Sequence, residues 1–100
     1  MKRLYVVVRS DLPAGLQMAQ ACHATREFGL LHPGEDVGDN LVVLHVPDEG
    51  ALRGLVDAAK GACPVVAFSE PDLNGEMTAA AFSGEARRFL SSLPLALRAA

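Results

Sequence analysis

One hundred residues, half of them hydrophobic, suit a single globular domain and exclude both a two-domain chain and an intrinsically disordered one. The formal charge of -3 is the wrong sign for a general nucleic-acid binder, and only a local patch drawn from Lys2, Arg3, Arg9, Arg26, Arg87 and Arg88 would provide basic surface. No apolar run approaches the length needed to span a bilayer, so no membrane partner is expected.

The chain opens on Lys2 and Arg3 followed by apolar residues, which superficially has the form of a signal peptide. The apolar stretch stops at Arg9 and no small-residue cleavage site follows, so a cytoplasmic protein is expected. Leu4 to Arg9 instead reads as a strand, β-branched and apolar on both faces, as a central strand covered on both sides would be. Gly15 to Leu30 reads as the first helix. Met18, Cys22, Thr25 and Gly29 form its small and apolar stripe, and Leu16, Gln20, His23 and Glu27 form the neighbouring one.

A loop rich in Pro, Gly and Asp spans His32 to Asn40, and Leu41 to Val46 is the second strand. Asp48 is a good N-cap for the second helix, whose apolar face is Leu52, Leu55, Val56 and Ala59, and Gly61 stops it. Val65 to Ser69 is the third strand. Glu70 to Gly75 is a tight polar loop in which Asn74 and Gly75 signal a turn. Met77 to Phe82 is the fourth strand, and Ser83 caps a short third helix running to about Leu90. The last two strands are joined too closely for a crossover and should pair antiparallel. The helical connections before them suit parallel neighbours or right-handed crossovers. A small mixed sheet with helices on both faces follows, as one domain over residues 1–100.

Cys22 and Cys63 are the only cysteines and are too few for a metal cluster or a disulfide framework, so both are expected as small buried core residues. Polar side chains gather instead where ligands bind in α/β folds, at the carboxyl end of the first strand and the start of the helix after it. Arg9 is placed there to meet a phosphate, or to pair with Asp11 or Glu70. Gln20 and His23 lie one turn apart, where an amide and an imidazole can orient a carbonyl or water and move a proton; His23 can equally pair with Glu27. Glu70, Asp72 and Glu76 crowd the loop after the third strand, as a general base or as a solvated turn, and Thr78 follows with a hydroxyl able to donate to a ligand.

These residues resemble a known family. Val6, Val7, Val8, Arg9, Ser10, Asp11 and Leu12, then Gly15, then Ala19, Gln20, His23 and Ala24, are similar to the first motif of peptidyl-tRNA hydrolase type 2. There a valine-rich strand ends in Arg-Thr-Asp-Leu and a Gly-Lys-x-Ala-Ala-Gln-x-x-His-Ala helix follows. The stretch from Phe68 through Glu70, Asp72, Asn74, Gly75 and Thr78 to Gly84 resembles the second motif, and Leu90 to Leu95 the Leu-rich close. The resemblance implies an α/β fold, a three-layer α/β/α sandwich on a four-stranded mixed β-sheet, commonly dimeric. It implies hydrolysis of the ester joining a stranded peptide to tRNA, a task of translation, with no metal or organic cofactor.

Carried onto this chain, the resemblance makes His23, Glu70 (with Asp72 as fallback) and Thr78 catalytic, and Arg9, Asp11, Gly15 and Gln20 substrate-binding, with tRNA as the partner and a homodimer as the assembly. The chain departs from the family at Leu16, which stands where the family has its functional lysine, and in the segment Glu70 to Asn74, which replaces Asp-Ala-Gly-x-Thr and shortens the loop to Thr78. Two other readings follow from those departures: a non-catalytic binding module of the same fold, and a hydrolase of a small ester or amide unrelated to tRNA.

Overall fold

The computed structural model describes residues 2–98. Strands β1 (Leu4–Arg9), β2 (Leu41–Val46), β3 (Val65–Glu70) and β4 (Glu76–Ser83) form one sheet in the order β2-β1-β4-β3. β1 is parallel to β2 and antiparallel to β4, and β3 is antiparallel to β4. Helix α1 (Ala14–Leu31) covers one face, while α2 (Glu49–Ala59) and the short α3 (Arg87–Leu90) cover the other, giving a three-layer α/β/α sandwich.

Burial follows from the period-2 alternation of the strands. Tyr5, Val7, Leu44, Ala80 and Phe82 meet Leu52 and Val56 of α2 and Leu90 of α3. Leu4, Val6, Val8, Val66, Ala79 and Ala81 meet Ala24 and Phe28 of α1. Every residue of β1 is buried, as its two-sided apolar sequence requires. The run of small residues Ala79, Ala80 and Ala81 lets helices approach β4 from both sides. Asp48 caps α2 as expected, accepting from the Ala51 N–H at 2.9 Å. Asn74 and Gly75 form the expected turn with φ of 57° and 73°, a left-handed pair that these residue types tolerate.

Several expectations need correction. α1 does not bury Met18, Cys22 and Gly29, all of which are exposed; its buried residues are Gln17, Gln20, Ala24 and Phe28. Two glutamines hold core positions; both amide ends of Gln20 find partners there, while Gln17 is paired through Nε2 alone, so the cost of burial is offset in full only for Gln20. Cys22 is exposed as a result, and Cys63 is only partly buried, with its thiol pushed up by that burial. The third helix begins as a 3-10 turn over Gly84–Ala86, and the Ser83 side chain makes no capping bond because Ser83 still belongs to β4.

After α3 the chain crosses to β2. The His45 N–H donates to Pro94 O at 3.1 Å, the Ala96 N–H donates to Val43 O at 2.9 Å, and Leu95 bridges Leu44 antiparallel.

Phe82 is fully buried between the sheet and α2. Phe82→Ala is expected to cost about 3–5 kcal/mol through lost burial and the cavity left behind. Urea unfolding checks this as a lower midpoint at unchanged slope.

Candidate active site

The site lies on the α1 side of the sheet, at the carboxyl end of β3. It depends on an irregularity in β4. Phe68 pairs with Ala79, but Ser69 pairs with Met77, so Thr78 is skipped by the ladder. A bulge of this kind sends two consecutive side chains to one face. Thr78 therefore faces α1 together with Ala79, and its hydroxyl donates to Gln20 Oε1. The Gln20 amide then donates from Nε2 to Glu70 Oε2 at 3.2 Å. Thr78 is fully buried and Gln20 almost so, while Glu70 is partly exposed. The result is a directed chain from a buried hydroxyl through a buried amide to a carboxylate that reaches solvent. The Asp72 N–H lies 3.4 Å from Glu70 Oε1, adding a donor to the second oxygen.

His23 sits on the turn of α1 after Gln20 and is exposed. Its ring stacks flat on Phe68, with centroids 4.6 Å apart and planes at 9°. Phe68 and Glu70 share a face of β3 by alternation, so the stack holds the imidazole at the same end of the sheet as the carboxylate. The expected alternative pairing of His23 with Glu27 does not form among the described residues.

Arg9 is placed otherwise than a phosphate ligand would be. Its guanidinium, 8% exposed, donates from Nε and Nη2 to both oxygens of Asp11 at 2.9 and 2.8 Å, and from Nη1 to Glu76 at 2.7 Å and Met77 O at 3.2 Å. The ion pair with Asp11 is the reading that holds, and the second carboxylate is Glu76 rather than Glu70. Asp11, followed by burial and then Glu76, sets the Arg9 balance, which is raised so far that the group stays charged at any accessible pH. The fork of hydrogen bonds from Arg9 holds the Asp11 carboxyl below its ordinary range. Glu49, at the start of α2, is held low by the Met77 N–H that it accepts at 2.8 Å, with Arg53 adding.

Of the remaining expected residues, Gly15 lies exposed in the first turn of α1, and nothing near it requires the absence of a side chain. Asp72 is exposed and joins the cluster through its backbone only. Thr78, being buried with its one proton committed to Gln20, orients that amide instead of reaching a ligand. Leu16 is half-buried and brings no charge. Sequence reasoning missed Phe68, whose signal is an aromatic residue two positions before Glu70 on the same strand face. It also missed Gln17, which anchors the loop before α1 by donating to Leu12 O at 2.7 Å. No cluster of three His, Cys, Asp or Glu side chains able to hold a metal occurs among the described residues.

The fold and site define an α/β domain with a carboxylate, an imidazole and a buried amide grouped at a strand end. No protein-family model matches the chain, and no curated protein matches it. Among solved structures, the chain is similar to a protein of unknown function from Agrobacterium tumefaciens, with a TM-score of 0.72 and 10% identity over 93% of this chain and 96% of that one. At that identity the likeness concerns the fold.

Thr78→Val keeps the shape but leaves the buried Gln20 oxygen without its donor, so a loss of about 1–3 kcal/mol is expected in urea unfolding. Stability is also expected to depend on acid. Asp11 and Glu49 titrate lower in the folded than in the unfolded chain, so their stabilisation is complete above the ordinary carboxylate range of roughly pH 4 and is lost as pH falls through their lowered values. Thermal melts between about pH 6 and pH 3 should show a falling Tm, with a shallower fall in Asp11→Asn; equal slopes would contradict the assignment to Asp11.

Proposed function

We propose that this chain hydrolyses the ester that joins a peptide or aminoacyl group to tRNA, the activity implied by its resemblance to peptidyl-tRNA hydrolase type 2. The observation that carries the reading is the hydrogen-bonded series Thr78, Gln20 and Glu70, which joins both motifs of the resemblance in one place. Glu70 takes the proton of a water, and the water oxygen attacks the ester carbonyl. The carbonyl carbon to ribose oxygen bond then breaks, and the proton passes to the leaving ribose oxygen. Gln20 fixes the Glu70 carboxylate, Thr78 fixes Gln20, and His23 holds the ester beside it.

Ester cleavage needs donors for the developing oxyanion. With Leu16 in place of a lysine, the backbone N–H groups in the first turn of α1 are the donors on offer. No side chain caps that terminus and no acidic side chain lies in its first turn. Within this reading the protein works in the cytoplasm on tRNA, without metal or organic cofactor. Its homodimer would cover the exposed Met18, Leu41 and Leu97 beside α1. No described helix is long and apolar enough to cross a membrane.

One observation favours a second reading, a binding module that has lost the chemistry. Arg9, the cation that ends β1, is neutralised by Asp11 and Glu76, and Leu16 supplies none. That reading expects tRNA binding that weakens with salt and no turnover.

The experiment is release of the amino acid from N-blocked aminoacyl-tRNA by the purified protein. Glu70→Gln is expected to slow hydrolysis about a hundredfold or more, and His23→Ala about tenfold or more. Hydrolysis unchanged in Glu70→Gln would remove the carboxylate from the mechanism, and folded protein with no turnover would leave the binding module.

A further inference from the structure

The face of the sheet opposite the Glu70 cluster carries a cavity of about 260 Å³, between the start of β1, the strand β2, and α3 with the segment after it. Arg3, Tyr5, Arg87 and Ser91 bring polar groups to its wall, and Leu93 and Leu95 provide accessible apolar surface above the buried Leu44 and Leu90. No carboxylate among the described residues lines it.

Placement sets these two cations apart. The chain carries 12 acidic residues against 9 Lys and Arg, so partners for its cations are in excess. Lys2, Arg9, Arg53 and Lys60 each take a carboxylate. Arg3, Arg26, Arg87, Arg88 and Arg98 form no ion pair among the described residues, and of these Arg3 and Arg87 line the same cavity. The Arg3 guanidinium is fixed over the Tyr5 ring, 5.7 Å from its centroid, with Nη1 donating to the Tyr5 hydroxyl at 3.1 Å. Arg3 Nε is buried with no acceptor. A buried charged donor without a partner is costly, and an anion is the group that satisfies it best. The Tyr5 hydroxyl, having accepted from Arg3, keeps its own proton to donate.

We infer that this cavity binds a small organic anion, with a phosphate or carboxylate head held by Arg3, Arg87 and Tyr5 and an apolar stem lying over Leu93 and Leu95. Two guanidinium groups on a fixed wall recognise the head by forked hydrogen bonds, and the leucines distinguish a stemmed anion from a bare ion. The site lies apart from the Glu70 cluster and needs no hydrolytic activity.

Titration of the full-length protein followed by amide NMR tests this, with hexyl phosphate, hexanoate, hexanol and inorganic phosphate as probes. Saturable shifts confined to Arg3, Tyr5, Leu90, Ser91 and their neighbours are expected with hexyl phosphate or hexanoate, and the tighter of the two identifies the head. Arg87→Met, an exposed helix position that should fold normally, is expected to weaken binding about tenfold or more. Arg3→Met should do the same, and if it does not fold, Arg87→Met carries the test. The inference is overturned if hexanol shifts the same amides at the same concentration, if inorganic phosphate binds as tightly as hexyl phosphate, or if Arg87→Met binds like wild type.

Discussion

The buried guanidinium of Arg9 is the constraint on which the rest of this domain depends. β1 is apolar along its length, and its last residue delivers a full charge to the sheet's end. That charge is stable there because it donates four hydrogen bonds, to two carboxylates and one carbonyl. Each bond also fixes a segment. Asp11 sets the path of the loop into α1, and Glu76 and the Met77 carbonyl set where β4 begins. With both ends held, the bulge at Thr78 falls opposite Gln20, and the two buried side chains meet. The energetics are asymmetric. Asp11 and Glu76 are partly exposed and can be hydrated if Arg9 is lost, whereas Arg9, 8% exposed, has little recourse to water if they are lost.

α1 is the other unusual component. A helix normally buries an apolar stripe, but this one presents Gln17 and Gln20 to the sheet. Gln20 has both ends of its amide paired with β3 and β4 side chains, whereas Gln17 donates to the loop before it and leaves its Oε1 buried without a partner. The helix is thus located by hydrogen bonds near its start and by Ala24 and Phe28 farther along. Directional bonds fix rotation about the helix axis more sharply than apolar contact does. That rotation decides whether His23 lands on Phe68.

The elements most legible in the sequence are those whose burial obeys a simple period. β1, β2 and α2 fall where β-branched runs, the Asp48 cap and the Leu52, Val56 and Ala59 spacing place them. α1 exists where expected but is rotated from its most hydrophobic stripe, since no periodicity announces that two glutamines will be core residues. Gln20, His23, Glu70 and Thr78 stand out through their order around strand and helix ends. The bonds among them join residues up to 58 positions apart and rest on the bulge in β4, which local pattern does not encode. Arg9 illustrates the same limit. Its pairing with Asp11 is readable from proximity, but the choice of Glu76 over Glu70 is settled only by how β4 is laid beside β1.

The bridge between Leu95 and Leu44 has a consequence for solubility. β2 is a terminal strand of the sheet, and terminal strands offer unpaired backbone groups to any passing chain. Here the crossing segment occupies His45 N–H and Val43 O, the positions from which such growth would start. At the opposite border, β3 pairs with β4 across the bulge at Thr78, whose added twist makes a poorer flat template for strand addition. A chain cut before Pro94 would lose the first protection and keep the second. Its aggregation would then proceed from one border of the sheet only, as pairs joined β2 to β2.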